Sequence, residues 1–167
     1  MVLIANIIDF LAAMLQVASG SIKQKAKILV VQTVQLLMQA ASMLLVGGVT
    51  GAANNALSCL RNYLCYKEKL NWGWKAVIIG ASVALTLLFN DQGLLGIIPA
   101  VVCTVYILLM DMKDPIAFKL LVTLSFVPWI FYHFCVGLYV AAVFDVLSVI
   151  TNAVTLGIMI KEKKASL

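Results

Sequence analysis

Charged residues are scarce in this chain, at 11% of its 167 residues, against about 25% in soluble domains. No long polar stretch separates the apolar runs, and this excludes a soluble catalytic domain. Hydrophobic residues make up 63% of the chain, and the mean hydropathy is +1.06. The composition therefore predicts an integral membrane protein.

Other absences narrow the class further. The first residues lack a basic leader and a small-residue cleavage site, so no signal peptide is predicted. The four cysteines show neither metal spacing nor a disulfide pattern, and we expect small core residues at Cys59, Cys65, Cys103 and Cys135. No HExxH, paired-aspartate or Ser/His motif is present, which argues against an intramembrane enzyme. No cofactor or metal is predicted, and no charge ring or filter segment indicates a channel.

Apolar runs of membrane-spanning length fill almost the whole chain. A helix needs roughly 20 apolar residues to cross a bilayer, and unbroken runs favour helices over the alternating strands of a barrel. The sequence predicts seven spans, at 2–19, 28–46, 49–66, 74–90, 94–110, 116–135 and 138–160.

The basic residues predict an orientation. They fall in four clusters, which lie on one side of the membrane if the spans alternate: around 23–27, 61–75, 113–119 and 161–164. By the positive-inside rule, we expect the N-terminus outside and the C-terminus in the cytoplasm. The net charge of +5 thus reflects topology, since a nucleic-acid patch would not be spread over four membrane-edge segments.

The two halves of the chain match when the first is shifted by 90 residues. The informative matches are polar or glycine: Lys23 with Lys113, Thr33 with Thr123, Gly47 with Gly137, Ser58 with Ser148 and Asn62 with Asn152. We predict a first three-helix repeat at 1–69, a linker helix at 70–92, and a second repeat with a short basic tail at 93–167. One intervening helix gives the repeats the same orientation.

This all-α arrangement of seven transmembrane helices, 3+1+3, resembles the SWEET sugar transporters and the PnuC vitamin transporters. The whole chain is similar to bacterial inner-membrane proteins of the YgjV type, which implies an inner-membrane location. The Pro-Gln pair found in the first helix of many relatives is absent. Pro99 is the partial counterpart in span five, and Asp9 takes the equivalent place in span one. Pro99 and Pro128 are expected to interrupt helical hydrogen bonds and offer hinges.

Asp145 stands alone as a charged residue within the apolar run 136–160. A carboxylate in hydrocarbon is costly unless it faces a cavity or a partner. The 90-residue shift places Asp145 on Asn55, and the resemblance to SWEET-like proteins implies cavity residues here and 16 positions earlier, at Trp129 and Gln39. An indole can stack on a sugar or base ring, while amide and carboxylate groups bind its polar atoms.

Further polar residues lie near these four. We expect Tyr132 beside Trp129, and Asn62 and Asn152 two turns beyond Asn55 and Asp145 along the same helix faces. His133 and Asp9 are candidates for proton coupling. For all of these residues, hydrogen bonding between helices is the alternative to solute binding. We expect Arg61 to be an interfacial cation that extends to the membrane surface, with a counter-ion role as the alternative.

The sequence therefore predicts a passive or proton-linked transporter of a small polar solute, such as a sugar, nucleoside or vitamin precursor. A membrane receptor or accessory subunit that does not transport is the alternative. The expected partners are the lipid bilayer and the solute, without nucleic acid, and a homo-oligomer stays an open alternative to a monomer.

Overall fold

The computed structural model describes residues 1–90, 93–135 and 137–165. Within these ranges the chain forms seven α-helices, a short 3-10 helix at Leu95–Ile97 and no strand. The helices are α1 (Val2–Ser19), α2 (Lys25–Leu45), α3 (Val49–Tyr66), α4 (Trp72–Phe89), α5 (Ile98–Leu109), α6 (Pro115–Cys135) and α7 (Tyr139–Ala165). The predicted all-helical fold is confirmed.

Five of the described helices are long and apolar enough to cross a membrane: α1, α2, α4, α6 and α7. The helix α3 carries several polar residues, and α5 has only 12 residues. Large apolar side chains point outward along the bundle, and Leu87 and Leu88 are each 76% exposed. A soluble protein rarely exposes so much apolar surface, whereas lipid covers it in a membrane.

The helices pack in chain order. Each contacts the next one along the sequence, α1 also contacts α7, and α2 meets α6. The seven helices therefore form a closed ring in which the first and last are neighbours. Packed apolar residues lie mainly on α2 to α6 and include Ile28, Leu64, Ile78, Ile107, Met110, Phe118 and Val122.

Several helix bounds in the two halves coincide after a shift of 90 residues. The helix α2 covers 25–45 and α6 covers 115–135, while α3 begins at 49 and α7 at 139. The connectors that follow α2 and α6 also match. Gly47 and Gly137 have φ of +82° and +79°, the left-handed conformation in which glycine ends helices.

Two predictions about individual side chains are wrong. Pro99 lies in the first turn of α5, where no helical hydrogen bond is lost, so only Pro128 lies inside a helix as expected. Cys65 is buried, but Cys135 is exposed and Cys59 and Cys103 are half-buried. The fourth cysteine is therefore a surface residue.

Candidate functional site

Asp145 lies six residues after the start of α7, or about 9 Å along the helix. Its side chain is buried, at 5% exposed for the residue. Gln16 Nε2 of α1 donates to Asp145 Oδ1 at 2.8 Å, and His133 Nδ1 of α6 lies 2.7 Å from Oδ2. Both carboxyl oxygens are therefore engaged by side chains of neighbouring helices.

The bonds continue into α2 and along α7. Gln35 Nε2 donates to Gln16 Oε1 at 2.8 Å, and Gln16 Nε2 also reaches Ser148 Oγ at 3.3 Å. We call this set of five side chains the polar network: Gln16, Gln35, His133, Asp145 and Ser148. All of its members except His133 are buried. The network joins four helices, two from each half of the chain.

The face of α7 that carries Asp145 is polar for two turns. Ser148 and Asn152 follow at intervals of three and four residues, which places them on the same side of the helix. Neither has any exposed surface. Asn152 Nδ2 donates to the carbonyl of Ser148 at 2.7 Å, while its Oδ1 has no partner among the described residues. Asn152 thus extends the network with a spare buried acceptor.

An aromatic cluster covers the histidine end of the network. The rings of Trp129 and His133 stack at 5.6 Å with 29° between their planes. Tyr132 meets Trp129 edge-to-face at 5.7 Å and lies 5.4 Å from the His133 ring. These residues lie within the last two turns of α6. Through His133, the aromatic cluster is continuous with the polar network.

The structure brings together only some of the predicted site residues. Asp145, His133, Trp129 and Tyr132 form one connected group, and Asn152 reaches that group through Ser148.

Other predicted residues lie apart from this group. The described contact of Asn55 is with Met43, whose Sδ lies 3.6 Å from Asn55 Nδ2. Gln39 is half-buried on α2, Asn62 pairs with Arg61, and Asp9 is exposed. A four-residue cavity of Gln39, Asn55, Trp129 and Asp145 is not seen in the described contacts.

Gln16, Gln35 and Ser148 belong to the network but were not predicted as site residues. Each is a polar residue within an apolar run, as Asp145 is, and this signal was present in the sequence. The 16-residue spacing selected Gln39, which lies one turn beyond Gln35 on α2 and is half-buried. Which side of α2 faces α1 depends on the rotation of α2 about its own axis, and the 16-residue spacing does not determine that rotation.

The first half contains a counterpart of the central pair. Met43 and Asn55 occupy the positions of His133 and Asp145 after the 90-residue shift, and each pair is in contact. The contact between these two positions is thus present in both halves, but its chemistry differs, because a thioether and an amide replace an imidazole and a carboxyl group.

Two grooves open near the lysine-rich end of the bundle. One is lined by Lys23, Asp114, Pro115, Met159 and Glu162, among others. The other runs between the end of α1 and α7, past Ser21, Thr151 and Val154. Neither groove includes a predicted site residue. Among the described residues, no group of three His, Cys, Asp or Glu side chains could hold a metal ion.

The fold and the polar network define a multi-pass helical membrane protein with hydrogen-bonding groups buried among its helices. The chain belongs to the Imp-YgjV family of bacterial inner membrane proteins, whose family model matches residues 3–163. This membership places the protein in the bacterial inner membrane. Comparison with curated proteins and with solved structures gives no significant match.

Proposed function

We propose that this protein transports a small polar solute, such as a sugar, nucleoside or vitamin precursor, by alternating access. The polar network would provide the hydrogen-bonding groups and the Trp129 cluster the stacking surface. The solute would replace part of the bonding that Gln16 and His133 give to Asp145. No catalytic step is proposed.

The observation that carries this proposal is the bridge from Gln16 to Asp145. It joins α1 of the first half to α7 of the second, across a 2.8 Å bond between buried side chains. Side-chain hydrogen bonds between membrane helices are weak, at about 0.6 kcal/mol on average. Such a bridge can be broken and remade as two helical units move, at a cost that solute binding would offset.

We also propose the 3+1+3 organisation, with units at 1–69 and 93–167 and α4 within the linker at 70–92. The matched bounds of α2 and α6, and the matched Gly47 and Gly137 turns, support it. The shared Met43–Asn55 and His133–Asp145 contacts support it as well. With α3 and α5 also crossing the membrane, the N-terminus would lie outside and the C-terminus in the cytoplasm.

Chemical asymmetry between the units favours an asymmetric solute. One unit presents Asn55 and the other Asp145 at the same shifted position, and a fixed carboxylate disfavours an anionic solute at that site. Proton coupling would involve the His133–Asp145 pair, since an imidazole and a carboxyl group in contact at 2.7 Å can exchange a proton. Asp9 is exposed on α1 and stands outside the network, so we assign it no coupling role.

A receptor or accessory subunit is the second candidate. Its support is that both oxygens of Asp145 already have partners inside the protein, as in a side-chain network that only joins helices. Solute binding without transport would distinguish this candidate from the first.

Solute binding to the purified protein is the first test. The unfolding midpoint in detergent is measured against a panel of sugars, nucleosides and vitamins, because a ligand that binds the folded state raises it. Wild type, Asp145→Asn and Glu162→Gln are compared. Glu162 is a matched control, since it is an exposed carboxylate on the same helix, paired with Lys23.

We expect a compound that raises the midpoint of wild type and Glu162→Gln but not that of Asp145→Asn. Equal shifts in all three proteins would remove Asp145 from the site. If no compound shifts wild type, the network would be structural and the transporter proposal would fail.

A further inference from the structure

Arg61 is a buried cation on α3, at 7% exposed. A guanidinium cannot lose its charge in a protein, and a buried charge needs a partner. Other buried cations have one: Lys75 pairs with Asp111 at 2.8 Å, and Lys119 donates to three carbonyls at the end of α1. Across 1–90, 93–135 and 137–165, no ion pair includes Arg61.

The contacts of Arg61 orient the guanidinium and leave part of it free. Nε and Nη2 both donate to Asn62 Oδ1, at 3.1 Å and 3.0 Å. The guanidinium carbon lies 4.7 Å from the centre of the Tyr106 ring. Tyr106 is itself held by a 3.3 Å bond to Gln32. Neither bond to Asn62 uses Nη1, so this edge of the group remains available.

Asn62 supplies a second, independent sign of a missing acceptor. The residue has no exposed surface, and its Nδ2 has no hydrogen-bond partner among the described residues. Its Oδ1 is already occupied by Arg61. A buried amide donor without an acceptor therefore lies beside a buried guanidinium without an anionic partner among the described residues, and an oxyanion offers acceptors to both.

We propose that Arg61 and Asn62 bind an oxyanion group, a carboxylate or a phosphate. Nη1 of Arg61 and Nδ2 of Asn62 donate to its oxygens, and the Tyr106 ring fixes the plane of the guanidinium. Arginine suits this role because its planar donors match these anions. The anion comes from a free solute or from a phospholipid headgroup.

This inference stands apart from the transporter proposal. The anion site is built on α2, α3 and α5, whereas the polar network joins α1, α2, α6 and α7. Under the 90-residue shift Arg61 corresponds to Thr151, so the second half has no cation at that position. An anion here does not conflict with the carboxylate at Asp145, because the two sites share no residue.

The test measures phosphate and acetate binding to the full chain in detergent by titration calorimetry, at ionic strength matched with sodium chloride. Wild type, Arg61→Gln and Lys67→Gln are compared. Lys67 is the matched control, because it is an exposed cation at the end of α3. Native mass spectrometry of the same preparations detects retained phospholipid.

We expect saturable oxyanion binding in wild type and Lys67→Gln, weakened about tenfold or more in Arg61→Gln, which is the loss of one charge-assisted hydrogen bond. A phospholipid retained by wild type and Lys67→Gln but not by Arg61→Gln supports the same site with a lipid source. Arg61→Lys, which keeps the charge but not the planar donors, should bind weakly and serves if Arg61→Gln does not fold. Wild type that binds no oxyanion and retains no phospholipid would overturn the proposal, as would unchanged binding in Arg61→Gln.

Discussion

Removing Gln16 should show whether the polar network is energetically coupled. Gln16→Leu leaves Asp145 Oδ1 and Gln35 Nε2 without their partners, and both residues are at least nine-tenths buried. An unsatisfied buried group costs about 1–3 kcal/mol, but single side-chain bonds in membranes contribute about 0.6 and at most about 1.7 kcal/mol. Gln16→Leu removes three bonds, of which one is to a carboxyl group and one is long at 3.3 Å, and we expect a loss of about 2 kcal/mol.

A double-mutant cycle isolates the bond between Gln16 and Asp145. Unfolding free energies are measured in mixed micelles for wild type, Gln16→Leu, Asp145→Leu and the double variant. We expect a coupling energy of about 1.5 kcal/mol, at the upper end for membrane helices because a carboxyl group is involved. The matched cycle pairs Gln39→Leu with Asp145→Leu, since Gln39 is not among the described hydrogen-bond partners of Asp145.

Comparing the two cycles tests whether the bond between Gln16 and Asp145 contributes to stability. Distant, independent sites are additive to within about 0.5 kcal/mol, and we expect the Gln39 cycle to fall in that range. If the Gln16 cycle is equally additive, the bond does not contribute to stability, and the prediction that the polar network is energetically coupled is wrong. If the Gln39 cycle shows the larger coupling, the cavity predicted from the 16-residue spacing would replace the network.

Two further predictions concern the scaffold. Lys119 is fully buried, and Lys119→Met should lower the unfolding free energy by about 3 kcal/mol, because three carbonyls near the end of α1 lose their donor. The control Lys113→Met, at an exposed lysine, should change the unfolding free energy by less than about 0.5 kcal/mol. Equal effects of the two substitutions would contradict this role of Lys119. Gly137→Ala should cost about 1 kcal/mol through its positive φ alone, since an added Cβ meets nothing within 4 Å. Gly80→Ala in the middle of α4, also unobstructed, should instead stabilise by up to about 1 kcal/mol, and a loss at Gly80 would refute the backbone argument.

Much of the fold could be predicted because each membrane-spanning helix corresponds to a long apolar run in the sequence. The bounds of α1 and α3 agree with the predicted spans 2–19 and 49–66. The turns at Gly47 and Gly137 were marked by glycine between two runs. The packing order was not predictable in this way, because apolar runs of similar composition do not determine which helices become neighbours.

The candidate site was only half predictable for the same reason. Asp145 was evident because a carboxyl group in an apolar run needs a partner. Its partner Gln16 was not, because the contact depends on α1 lying against α7, and the two residues are far apart in the chain. Arg61 was expected to extend to the surface, but the structure buries it against Tyr106. Length and charge predict a long side chain that can reach the interface, yet the ring on α5 provides an alternative contact.

The measurement that tests the central claim most directly is solute uptake into proteoliposomes. The compound that stabilises the protein is supplied radiolabelled, to vesicles with wild type, Asp145→Asn, Glu162→Gln or no protein. We predict uptake by wild type and Glu162→Gln that saturates with solute, and uptake by Asp145→Asn at the level of empty vesicles. Binding without uptake in wild type would contradict transport and favour the receptor. Full uptake by Asp145→Asn would contradict the assignment of the network as the site.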